Sequence, residues 1–411
     1  MKTNSKTISK CQISGAKDLK SIMFVGYLPP TCVLKKINSK IEEEVFYPAD
    51  LVYSSKSKLA QLSTIVNKEI LFPKNYAYTS STTKILRENF KELYVDCRKI
   101  IKISSNDLIL DIGSNDGNLL NNFKKNHRVL GITPENVGKI AIKKGIPTLI
   151  RYFDKGTAKL VANKYGKAKI ITATNVFAHI ENVNELMKNI LSLLKKDGVF
   201  ISESHYLVSL IKTNQYDTIY HEHLRYYSLS SLKYLFKKYG LKIIHAKKIN
   251  THGGSIRVYA TKNKKFKINS SVNKILNFEK KYLNWKTFDS FKKNVFKSKI
   301  NLYSILKNIK KQNKKICGIG APVRATTLIN YVGLDENIID YVLEIDGSKK
   351  IGNYIPGTKI PIFSEKRLYT DQPDYAVLFA WHLASELKKN LRKKGFKGKF
   401  IIPLPAPKIN Y

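Results

Sequence analysis

The stretch LILDIGSNDGNLL (108–120) decides how this chain folds. Its first residues form an apolar run of strand length. A glycine turn follows, and then the start of a helix. Gly113 lets the backbone turn sharply. Asn115 and Asp116 can cap the helix and offer polar contacts, and Gly117 permits close approach of a ligand. A nucleotide-like cofactor fits at such a crest, outside the carboxyl end of the strand. The GxGxxG spacing of dinucleotide binders is absent.

Working outward, RVLGIT (128–133), KIITATNV (169–176) and GVFISES (198–204) read as further buried strands with helical stretches between them. That alternation predicts a parallel sheet in an α/β domain over residues 71–265. The form D-x-G-S-N-D-G resembles the S-adenosylmethionine (SAM) loop of class I methyltransferases. The resemblance implies a cofactor site made by Asp111, Gly113, Asn115, Asp116 and Gly117, with Thr133 and Asn175 at the ends of the next strands. An acid normally ends the second strand and holds the ribose hydroxyls. Here Thr133 stands at that point, so either its hydroxyl does the work or Glu135 reaches back.

A second α/β unit is predicted over 316–411, from ICGIGAP (316–322) through IIDYVLEID (338–346) and YAVLFAW (375–381) to FIIPLP (400–405). Its GIGAPVRATT turn suits a phosphate or a sugar, with Arg324 as a partner for a pyrophosphate; a purely structural turn is the alternative. Residues 266–315 read as connector helices. Between 261 and 315 there are 17 lysines against two acids, Glu279 and Asp289. Phe288, Phe291, Val295 and Leu302 recur at helical spacing, so one side should pack on a domain. Residues 1–70 look short and irregular, with turn signals at Tyr27-Leu-Pro-Pro30 and Phe46-Tyr-Pro48.

The chain has 411 residues, 43% of them hydrophobic, enough to bury the cores of several domains. No apolar run approaches the ~18 residues of a membrane span. The N-terminus lacks the apolar core of a signal peptide, so a soluble cytoplasmic protein with no membrane partner is expected. Four widely spaced cysteines form no disulfide framework. The formal charge is +42. The excess is dispersed lysine, accompanied by asparagine and isoleucine, as AT-rich codon usage gives. No arginine-rich stripe or aromatic RNA-binding box is present, so no nucleic-acid partner is expected. The oligomeric state stays open.

The chemistry concentrates in DTIYHEHLRYY (217–227) and THGGSIRVY (251–259). Six of the eight histidines fall between 179 and 252. Arg257 offers a fork for an anion. A metal reading of His221-x-His223 lacks a third ligand, and no metal is expected there. Together DIGSNDG, NVFAHI, DTIYHEHLRYYS, HGGSIR, GIGAPVRATTLINY and PGTKIPI (356–362) resemble the sugar C-methyltransferases of deoxysugar biosynthesis, over most of 45–405. The resemblance implies a small zinc-binding N-terminal domain, a central SAM domain and a C-terminal Rossmann-like domain. A nucleotide-linked 4-keto sugar, of dTDP type, would lie between the lobes. It makes His223 the base that removes a proton beside the ketone, with Glu222 and Tyr220 orienting it or touching the sugar. Tyr76 or Tyr78, His179, His221, His252, Arg257 and Arg324 become substrate contacts. Trp381-His382 stands where the family more often has Trp-Asn.

The resemblance also implies zinc held by two C-x-x-C pairs. Here Cys11 and Ser14 stand for one pair, and Ser54 and Ser57 for the other. A hydroxyl does not replace a thiolate on zinc, so zinc is expected to be absent. Leu28, Val45, Phe46, Leu51, Leu59 and Leu62 should then dock this segment on the central domain. Two other readings remain. One is a methyltransferase acting on RNA or another polyanion, supported by the charge. The other is a non-catalytic SAM- or sugar-nucleotide-binding relative, supported by the serines and Thr133. The intact YHEH favours the sugar enzyme.

Overall fold

The computed structural model describes residues 4–40, 43–72, 81 and 83–410. At its centre lies a seven-stranded sheet. Its order is Lys242–Ile249, Ser255–Thr261, Leu194–His205, Ala168–Thr174, Leu108–Ile112, Arg128–Thr133 and Thr148–Ile150. The last five strands run parallel; Ser255–Thr261 is antiparallel to both of its neighbours. This is the class I methyltransferase topology. All residues of Leu108–Ile112 and of Ala168–Thr174 are buried. Both faces of the sheet are covered, which is why these strands read as unbroken apolar runs. Two of the crossover helices, Lys155–Tyr165 and Val183–Leu193, carry side-chain caps. Asp154 accepts from Thr157 N at 2.7 Å, and Asn182 accepts from Glu185 N at 3.1 Å.

The four strands expected in this sheet are present, and three more join them. Thr148–Ile150 is too short to read from sequence, and Lys242–Ile249 is broken by lysines. Ser255–Thr261 had been legible only as a candidate site.

The C-terminal sheet has six strands, ordered Ile362–Ser364, Tyr341–Glu344, Ile316–Ile319, Tyr375–Leu378, Lys399–Ile402 and Lys408–Asn410, with only the last antiparallel. The helix Trp285–Lys311 precedes it. Asn284 caps this helix, and Phe288, Phe291, Val295 and Leu302 are buried along it. They join a core shared with the N-terminal segment and the C-terminal sheet. Glu279 is not a solvated acid of this lysine-rich stretch. It is fully buried and accepts from Leu229 N (2.6 Å), Ser230 N (2.8 Å) and Ser230 Oγ (2.5 Å), so it caps the helix Leu229–Lys238.

The N-terminal segment is not irregular. Strands Leu19–Leu28, Tyr47–Ser54 and Leu59–Leu62 form an antiparallel meander, and Tyr47-Pro48 opens a strand rather than a turn. The fourth strand of that sheet is Arg225–Tyr226, which follows directly on the YHEH motif. Leu28, Leu51, Leu59 and Leu62 are buried as expected, whereas Val45 (55% exposed) and Phe46 (38%) face outward. No helix among the described residues is long and apolar enough to cross a membrane.

Candidate active site

A cavity of about 960 Å³ opens at the carboxyl ends of the central strands. Its wall includes Thr31 from the N-terminal segment, the glycine loop, the YHEH segment, and Arg324 and His382 from the C-terminal unit.

One end is built from the glycine loop. Gly113 sits at φ +74°, and a Cβ there would run into Val176. Its N–H and that of Ser114 both donate to Ile132 O, at 2.7 and 3.0 Å, which folds the loop over the neighbouring strand. Asn115 and Asn175 hold left-handed backbone at φ 50° and 56°, and both line the cavity. Asp111 lines it too. Its carboxyl accepts from Thr172 Oγ1 at 2.6 Å, yet burial and the neighbouring Glu203 push it up to about 7. At the end of the second strand the Thr133 hydroxyl donates to the Glu135 carboxylate. Glu135 therefore reaches back, and the pair presents an acid at the expected place. The cradle that glycine keeps open, with this acid one strand away, fits SAM.

At the other end, hydrogen bonds fix the proton positions on several imidazoles. A carbonyl only accepts, so His223 carries its proton on Nδ1, which donates to Thr218 O at 3.0 Å. Nε2 keeps its lone pair and accepts from the Tyr220 hydroxyl at 3.2 Å. His179 donates from Nδ1 to Glu222 O at 2.6 Å, and its ring lies 5.0 Å from that of His223. Burial holds His223 well below the ordinary imidazole value, helped by His179 nearby. Burial likewise brings His179 and His252 down to about 4, with Arg324 adding to the effect at His252. These rings are neutral bases at neutral pH. The Glu222 carboxylate accepts from Thr31 Oγ1 at 2.5 Å, so the N-terminal segment helps to set it.

Of the other expected residues, His221 and Arg324 line the cavity but are engaged by the chain itself, and Arg257, Asp116 and Gly117 lie outside it. His221 turns the opposite way from His223. Its Nε2 donates to Pro48 O at 3.2 Å and its ring packs edge-on against Tyr47, at the seam with the N-terminal sheet. Arg257 does not line the cavity. It is fully buried, donating to Glu203 (3.0 Å), Asn89 (2.7 Å) and Asp96 (3.3 Å), and so its anion is the chain's own. Asp116 lies behind the loop, paired with Lys144 at 3.2 Å, and Gly117 packs towards Ala141 and Ile146. Arg324 lines the cavity but is already engaged by Asp217. Tyr76 and Tyr78 lie outside the described residues.

The sequence reading missed His205 and Gln215, and it marked His382 only as a departure from the family's Trp-Asn. Gln215 is buried, and its Nε2 donates to Gly253 O at 2.7 Å. Its Oε1 therefore accepts from His205 Nε2, at 2.9 Å. Arg324 Nη1 donates to His382 Nδ1 at 3.1 Å, leaving the N–H of that ring on Nε2. Burial brings His205 and His382 down to about 3. The signal for Gln215 lay in Gly253, where a Cβ would meet the Gln215 amide; one on Gly254 would meet the Ser209 side chain.

The positions that the resemblance aligns with zinc thiolates are occupied by one thiol and three hydroxyls. Cys11 Sγ lies 3.1 Å from Ser57 Oγ, and Ser54 Oγ donates to Asp18 at 3.0 Å. This donor set does not fit zinc. No cluster of three or more metal-ligating side chains occurs among the described residues.

Residues 86–246 match a methyltransferase domain, and residues 250–405 match the C-methyltransferase C-terminal domain. The chain is 29% identical to the C-methyltransferase NovU of Streptomyces niveus over 412 residues, 98% of this chain and 97% of that protein. Among solved structures it resembles a SAM-dependent methyltransferase of Anabaena variabilis (16% identity, 42% of this chain and 84% of that one, TM-score 0.34). It also resembles one of Clostridium acetobutylicum (14% identity, 44% and 93%, TM-score 0.33).

Proposed function

Because this chain is a SAM-dependent C-methyltransferase, with the methyltransferase domain and the C-methyltransferase C-terminal domain in one polypeptide, we propose that it methylates a carbon next to the ketone of a nucleotide-linked 4-keto sugar, of dTDP type. The observation that carries this reading is the Tyr220–His223 pair. It is a neutral imidazole whose lone pair lies in the same cavity as the glycine loop. A hydrogen beside a ketone is weakly acidic, and its removal needs a base with a free lone pair. His223 Nε2 takes that proton and leaves the substrate as an enolate. The Tyr220 hydroxyl, now free of Nε2, can donate to the enolate oxygen. Burial opposes a lasting charge on His223, so the proton must leave the ring before the next turnover. Asp111, Gly113, Asn115, Asn175 and the Thr133–Glu135 pair would hold SAM, which supplies the methyl group that the substrate carbon takes.

His179, His252 and His382 line the same space and suit sugar hydroxyls, His179 as an acceptor and His382 as an N–H donor. Lys349 and Lys350 on the C-terminal wall suit the negative charge of a nucleotide diphosphate. The units 1–70, 71–265, 266–315 and 316–411 act together in this reading, within the cytoplasm. Incubation with SAM and a panel of nucleotide 4-keto sugars, followed by mass spectrometry, should find one sugar heavier by a CH2 group. No gain on any keto sugar, together with methylation of RNA, would overturn the reading.

A further inference from the structure

We propose that Asp217, Arg324 and Trp381 form a clamp through which the C-terminal unit positions the imidazole of His223; this rests on His223 being the base. Asp217 lies in a single 3-10 turn, Tyr216–Thr218. Its Oδ2 accepts from Arg324 Nε at 2.7 Å and from Trp381 Nε1 at 2.8 Å, and its Oδ1 accepts from Arg324 Nη2 at 3.0 Å. Both members of the ion pair are buried, Asp217 completely. The Trp381 ring also stacks with the Arg324 guanidinium, 5.1 Å away. Arg324 Nη2 reaches Gln215 Oε1 at 3.3 Å as well, so one side chain grips the turn at both ends.

The next residue, Thr218, gives its carbonyl to two donors: His223 Nδ1 at 3.0 Å and the Tyr226 hydroxyl at 3.0 Å. The carbonyl that dictates the tautomer of His223 is thus one residue from the carboxylate that the C-terminal unit holds. A buried ion pair adds little net stability over an apolar pair of the same shape, but its bidentate geometry fixes position. If the turn shifts, Nδ1–H loses its acceptor and the ring can place its proton on Nε2 instead. In that tautomer the nitrogen facing Tyr220 has no lone pair, and it cannot take a proton from carbon. Asp217, Arg324 and Trp381 are positioning residues in this scheme, not catalytic ones.

The test uses the full chain labelled with 15N-histidine, with the His223 signals assigned by their loss in His223→Asn. In the unchanged protein His223 should show the Nδ1–H tautomer alone. In Asp217→Asn and Arg324→Gln a second, Nε2–H population should appear. Turnover of a dTDP-linked 4-keto-6-deoxyhexose should fall about 10- to 100-fold, as misplacement of a reacting group does, while SAM affinity by calorimetry stays the same. Arg324→Lys keeps a charge on Asp217 and should restore part of both signals. A single Nδ1–H tautomer with full turnover in these variants would overturn the clamp. A shifted tautomer with unchanged turnover would uphold the clamp and overturn His223 as the base. If the Asp217 and Arg324 variants do not fold, Trp381→Phe removes the indole N–H at a partly exposed ring and keeps a smaller aromatic face for Arg324. It carries the same test, with the same expected directions.

Discussion

His221 and His223 sit two positions apart and do different work: one donates to Pro48 O in the N-terminal sheet, the other shows its lone pair to the cavity. His223→Asn should keep SAM affinity and lose turnover by roughly 10²–10⁴, the usual loss when a general base is removed. His221→Asn should mainly lower the melting temperature. A larger turnover loss at His221 would exchange their roles. Burial holds His223 far below 6.5. Its unprotonated, active form therefore persists well into acid, and turnover tied to this group should be flat with pH through neutrality and fall only on the acid side of 6.5. An inflection near 6.5 in kcat/KM would mean that the ring is solvated in the working enzyme. Gly113→Asp should abolish SAM binding in calorimetry, because its left-handed backbone and Val176 leave no room for a Cβ. How much could be read at this scale depended on where each partner lies in the sequence. The GSNDG loop and Thr133 with Glu135 carry their own local logic. Arg257 announced an anion correctly, but nothing near it in sequence shows that the anion is Glu203. His205 carries no motif at all, and His382 was marked only by its place beside Trp381. Gln215 was detectable only as the missing side chain of Gly253.

Elements were legible where burial is two-sided and invisible where it is shared with a distant segment. Leu108–Ile112 and Ala168–Thr174 are apolar because helices cover both faces. Leu19–Leu28 mixes lysine, serine and glycine with its apolar residues, and its burial alternates irregularly around two bulges. It therefore resembles loop sequence. Arg225–Tyr226 is a strand of only two residues, and it exists because Ala60 and Gln61 offer it an edge. Glu279 shows the same principle for a helix, since it reaches across from one helix to cap another. Glu279→Ala would leave one buried and one partly buried backbone N–H group without acceptors. At about 1–3 kcal/mol for each unsatisfied group, this should lower the denaturant midpoint markedly. Glu279→Gln keeps one acceptor and should be milder. Equal midpoints for the two would mean that water takes over the cap.

For the whole molecule, the N-terminal positions that the resemblance assigns to zinc hold one thiol and three hydroxyls, and the leucines of this segment lie in cores continuous with the rest of the chain. Metal-dependent folding should therefore be absent: purified protein should contain far less than one zinc per chain, and a chelator should leave the melting temperature unchanged. Stoichiometric zinc would mean that Cys11 recruits ligands from elsewhere, with Cys32 the nearest candidate by type. The shared strand has a consequence for how the protein is made. The ribosome delivers Leu59–Leu62 early, but the strand that covers its free edge is synthesised only after most of the central sheet. Until then the nascent chain carries an open β-edge that can pair with a neighbour on the same message. Translation pausing before Arg225 should raise the aggregated fraction, and a pause placed far enough beyond Tyr226 for this strand to have left the ribosomal exit tunnel should not.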